Sequence, residues 1–152
     1  MAFLWNDVIT AISNLSIPAV PGLTIRTTAP RSASDCPVPI LFPSRSPTVN
    51  LTAVERQSVC SSGAAFKIAR YTLNYVYLKV QLGQGVDESR YEAAVRADMA
   101  AIFTAITNAD TALGVEEVVP IGFSIAERVV DPDNQPYLGG LLTFQAEEYI
   151  NA

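Results

Sequence analysis

The chain contains no histidine, and that removes most catalytic arrangements before any fold is considered. A Ser-His-Asp or Cys-His nucleophile needs an imidazole to take its proton. A Ser-Lys dyad of the Ser-x-x-Lys type needs a serine three residues before the lysine. The two lysines, Lys67 and Lys79, have Ala64 and Val76 there. Cys36 and Cys60 have neither CxxC spacing nor an imidazole partner, which speaks against zinc. Both lie in one polar stretch, so a disulfide is geometrically open, and the plainer reading is two free thiols in a reducing cytoplasm.

Other spacings that could do chemistry read more simply as structure. Gly83-x-Gly85 follows a strand pattern and precedes a helix, as a dinucleotide loop would. The third glycine position is Glu88, beside Asp87, and two acids where a pyrophosphate would lie oppose phosphate binding. Asp131-x-Asp133-Asn134 lacks the glycine and closing glutamate of a calcium loop and reads as a solvated hairpin turn. Glu116-Glu117 and Glu147-Glu148 are adjacent pairs on strands, so their members point to opposite faces and do not converge on one substrate. Tyr71, Tyr75 and Tyr77 would suit base stacking only beside a basic groove, and Arg70 and Lys79 alone are near. Packing in the core or at a subunit interface is the expectation for them.

The elements that must position these residues follow from composition and period. A chain of 152 residues suits one domain, able to bury about 70% of the surface its unfolded form exposes. It is 49% hydrophobic and only 16% charged, with a mean hydropathy of +0.24. A surface so short of charge suggests a partner covering part of it. The net charge of −5 and scattered cations leave no footprint for gripping a duplex. No basic, apolar leader opens the sequence, and no apolar run nears the roughly 18 residues a membrane helix needs. The expectation is therefore a protein made in the cytoplasm, without membrane contact.

Residues 3–16 carry Leu4, Val8, Ile12 and Leu15 at helical spacing, ended by Pro18 and Pro21-Gly22. Leu23–Thr28 and Val38–Phe42 are short strand candidates, the second bracketed by prolines that suit an edge. Residues 29–66 are otherwise rich in Ser, Pro and Thr without clear period, and form a long extended loop region. Lys67–Leu82 is a long strand, with Tyr71, Leu73, Tyr75 and Tyr77 on one face and Val76, Leu78, Val80 and Leu82 on the other. Ser89 and Glu92 read as a capping box. The helix they open has a core stripe of Tyr91, Val95, Met99, Ile102, Phe103 and Ile106 among alanines. Glu117–Val130, with Val119, Ile121, Phe123, Ile125 and Val129 on one face, and Tyr137–Ile150, with Leu142, Phe144, Ala146 and Ile150, make a long hairpin across Asp131–Pro136. The expected fold is α+β: one domain over 1–152, with an antiparallel sheet, a long C-terminal hairpin, and an N-terminal and a central helix packed on it.

This layout resembles the tail-terminator proteins of long-tailed bacteriophages and the related neck and minor tail proteins. The resemblance spans most of the chain. It lies in the opening Asn6–Ile12 helix, the strand Arg70–Tyr77, the alanine-rich helix Ser89–Ile106 and the closing strand Tyr137–Phe144. It implies a structural virion protein of the tail or neck, assembled in the host cytoplasm as a ring, a hexamer in that family. The ring would cap the tail tube protein and meet the head-completion or connector protein. DNA would pass through the lumen without being tightly bound. No enzymatic activity, metal or cofactor is expected. Two alternatives are a head-completion or neck connector subunit, and a small-molecule-binding α+β domain outside phages, which would need convergent polar groups.

Candidate interface residues are Arg45, Val49, Leu51, Val54 and Arg56 in the long segment, Tyr75 and Tyr77 on the long strand, and Asp131, Asp133 and Asn134 at the hairpin turn. Within Pro43–Ala65 the apolar group of Val49, Leu51 and Val54 is too small to offset an ordering entropy of roughly 1–2 kcal/mol per residue. That segment is expected to be mobile in an isolated subunit and to order on docking.

Overall fold

The computed structural model describes residues 5–30, 37–44, 48–53, 66–82, 87–109, 117–130 and 136–151. In chain order they form α1 (Trp5–Ser13), β1 (Thr24–Ile25), β2 (Ile40–Pro43), β3 (Thr48–Ala53), β4 (Phe66–Gln81), α2 (Glu88–Thr107), β5 (Glu117–Val130) and β6 (Pro136–Asn151). The α+β expectation is met, with β5 and β6 as the long hairpin. The sheet order is β1-β2-β4-β6-β5, and β3 also pairs with β4. All pairings are antiparallel except β1 with β2, which makes the sheet mixed.

β4 is the spine. β6 runs along one side of it from Phe66 to Gln81. The other side is shared, β3 taking Lys67–Thr72 and β2 taking Tyr75–Leu78. The alternation of a strand then sorts its side chains. Tyr71, Leu73, Tyr75 and Tyr77 join Leu138, Leu142, Phe144 and Ala146 of β6 in the main core, together with residues of α1 and α2. Val76 and Leu78 turn the other way and form a smaller cluster with Ile40, Phe42 and Tyr137. α2 lies over β5 and β6, touching β4 less.

The expected second face of β4 needs one correction. Its register against β6 shifts between Leu78 and Val80, so Lys79 is an extra residue. A bulge of this kind re-aims everything beyond it. Val80 and Leu82 consequently belong to the main core and are not partners of Val76 and Leu78. Glycines in β6 permit the crossing. A Cβ on Gly139 would clash with the Tyr77 carbonyl oxygen, and one on Gly140 would clash with the Ser124 carbonyl oxygen and meet the Met99 sulfur at 2.7 Å. Backbone and helix approach β6 here more closely than any side chain allows.

The helices differ from expectation at their ends. α1 stops at Ser13, and a turn carries Ile17 and Val20 into the same core as Val8, Ile9 and Ile12. Residues 1–4 lie outside the described residues. In α2 the N-cap is Asp87, whose carboxylate accepts from the Ser89 N–H at 3.1 Å and the Ser89 hydroxyl at 2.6 Å. The expected Ser89–Glu92 capping box is therefore replaced by an aspartate cap, which also meets the positive helix end. Glu92 instead accepts from Arg96, one turn on, at 3.4 Å. The buried stripe is Val95, Met99, Ile102 and Ile106, while Tyr91 and Phe103 are only partly covered.

β3 is a correction too. Within the expected loop region 29–66, residues 48–53 pair in unbroken register with β4. The local signal was present, because Val49, Leu51 and Ala53 alternate with Thr48, Asn50 and Thr52, a strand period in residues that favour strands. β5 departs in another way. Its register shifts between Pro120 and Gly122 and again between Ser124 and Glu127, so strict alternation does not hold along it. Val118, absent from the expected apolar face, is buried, and Ile121 is 57% exposed.

Candidate functional site

Among the described residues, the most concentrated polar chemistry sits between β4 and α2. Asp98 is the one buried charged residue named in the core, 8% exposed. It lies one residue before Met99 on the buried side of α2. Its carboxylate accepts from the Tyr77 hydroxyl at 2.6 Å and pairs with the Lys79 ammonium at 2.8 Å. Tyr77 and Lys79 are two residues apart on β4, so strand alternation turns both toward this carboxylate. A carboxylate held by a phenol and an ammonium has its charge compensated, which such burial requires.

The two tyrosines of this strand resist ionisation. Burial raises the Tyr77 phenol well above its ordinary value, and the hydrogen bond to Asp98 and that carboxylate's charge raise it further. Burial alone raises Tyr75 in the same direction, and its hydroxyl finds no hydrogen-bond partner among the described residues. A phenol locked in its protonated form and fully buried is a poor base and unavailable to a substrate. The cluster acts as a tie between helix and sheet.

The other sheet face carries polar cross-strand pairs. The Arg70 guanidinium donates to Glu147 across β4 and β6 at 2.8 Å. Two rungs on, the Thr143 hydroxyl donates to the Asn74 side-chain oxygen at 2.9 Å, and Thr72 stands opposite Gln145 between them. Glu117 of β5 stands in backbone register with Glu147. Near α1, a groove of about 340 Å³ is lined by Leu15, Ser16, Ile17, Pro18, Val20, Pro21, Gly22, Leu23 and Ile25. Ser16 brings its only polar side chain, too little for the convergent polar groups a small-molecule site needs.

The sequence candidates fall into three groups. Arg45, Val54, Arg56, Asp131, Asp133 and Asn134 lie outside the described residues, as do Cys36 and Cys60. Val49 and Leu51 are in β3, in register with Tyr71 and Ala69. Tyr75 and Tyr77 are fully buried in the chain's own core, which corrects their reading as interface residues. The packed helix layer leaves them no surface to offer. Of the two expectations for the tyrosine cluster, core packing is the one these two residues meet. Asp98 was missed altogether. Its signal was present, a charge set inside the stripe Val95-Met99-Ile102, where burial obliges a partner.

No group of three or more metal-ligating side chains gathers among the described residues, and none of their helices is long and apolar enough to cross a membrane. The chain matches no protein-family model, and no curated protein matches its sequence.

Proposed function

We propose that this chain is a structural subunit of a head-to-tail ring, acting as the tail terminator of a long-tailed phage, without catalytic activity. The observation that carries the reading is the open sheet. Among the described residues, β5 has no strand beyond it on one side, and β3 and β1 have none beyond them on the other. β3 runs against β4, β4 against β6, and β6 against β5. The edges β3 and β5 therefore run in opposite directions, and a rotated copy can set its β5 antiparallel to this chain's β3. A contact between unlike edges repeats, and closes into a ring when the rotation divides a full turn. β3 favours such pairing. It carries no charge, proline or glycine and no register shift, so it lacks the usual devices that blunt an edge.

In this ring the chain would cap the tail tube and meet the head-completion protein, with DNA passing through. The acidic balance suits passage without grip. Size-exclusion chromatography with light scattering tests the assembly: a mass near six chains of 16.3 kDa is expected, persisting at 0.5 M salt, because apolar and backbone contacts are little screened. Asn50→Lys with Thr52→Lys should reduce the mass to a single folded chain by charging the β3 edge. A chain that is monomeric at every concentration and also fails to cap purified tail tubes would sink the reading.

A further inference from the structure

We draw no further inference here: the strongest candidate, the groove between the end of α1 and β1 lined by Leu15, Ser16, Ile17, Val20, Leu23 and Ile25, is an unpartnered surface, and nothing in the structure shows what covers it.

Discussion

Over Arg70–Tyr75 the two faces of β4 share one backbone and are sorted by residue parity, yet they carry different physics. Tyr71, Leu73, Tyr75 and Tyr77 are sealed beneath the helices. Arg70, Thr72 and Asn74 alternate with them and remain partly exposed, paired across to Glu147, Gln145 and Thr143. On the covered face stability comes from area removed from water, and the buried Asp98 carboxylate there needs two partners. On the open face water competes for every polar pair, so each is worth little. What covers a face therefore sets the energy scale of its residues.

The largest effect should come from cutting into the covered face. Phe144 is fully buried and its ring centroid lies 5.3 Å from that of Phe103. Phe144→Ala should cost about 3–5 kcal/mol, read by urea or thermal unfolding. Phe103 is only partly covered, so Phe103→Ala should cost less. Thr72→Ala, on the open face of the same sheet, should stay within about 0.5 kcal/mol. Equal losses for Phe144 and Thr72 would break the contrast.

The polar tie should come next. Asp98→Ala strands the buried Tyr77 hydroxyl and leaves Lys79 unpaired. Because the Lys79 side chain is 25% exposed, water relieves part of the loss, and about 2–3 kcal/mol is expected. Asp98→Asn keeps an acceptor for Tyr77 and should recover part of it. Calorimetry of both variants separates the hydrogen bond from the charge.

Alkali probes the same face without mutation. A phenol whose ionisation is raised on folding binds its proton more tightly folded than unfolded. Its stabilising contribution is whole below about pH 10 and is lost as pH rises above that. For Tyr75 and Tyr77, both raised, stability should fall by about 1.4 kcal/mol per pH unit for each phenol above that point. Tyrosinate absorbance at high pH should show these two ionising together with unfolding. Two independent titrations in a still-folded chain would show that the face is open to water.

How far the sequence disclosed these faces depends on what each signal requires. Period and capping residues are local, so the two long hairpin strands, β4 and α2 were legible, with the parity of Tyr71–Tyr77. Register is not local. The bulge at Lys79 exists only against β6, so the fate of Val80 and Leu82 was invisible. β3 carries a local strand period in Val49, Leu51 and Ala53, and only its register against β4 was hidden. The tie was half legible, since Asp98 was visible as a charge in an apolar stripe, while its partners depended on how α2 sits across β4.

A smaller loss is expected at the glycine that lets α2 close on the sheet. Gly140→Ala would place a methyl against the Ser124 carbonyl and the Met99 sulfur. The thioether can shift, whereas the carbonyl belongs to the β5 backbone. A cost of about 1–3 kcal/mol follows from overpacking, and Met99→Ala in the same chain should relieve only the part due to sulfur. If Gly140→Ala is neutral, the close approach of β5, β6 and α2 is looser than drawn.

The smallest effect belongs to the open face and sharpens the comparison most. Arg70 and Glu147 make a 2.8 Å bond, as short as the one between Lys79 and Asp98. Distance alone would rank the two pairs equal. Their surroundings differ, because the Arg70 side chain is 35% exposed against 25% for Lys79, and Asp98 also accepts from the Tyr77 hydroxyl. Water screens the attraction, and holding a long side chain in one geometry costs rotamer freedom. The coupling in an Arg70→Met, Glu147→Gln double-mutant cycle should therefore lie near 0.2–1 kcal/mol and shrink in 0.5 M salt. The matching cycle on Lys79 and Asp98 should be larger and less sensitive to salt, since Lys79 is the less exposed cation and the Tyr77 hydroxyl also holds that carboxylate. Should both cycles give the same coupling and the same salt response, bond length would govern these pairs and the covering layer would not.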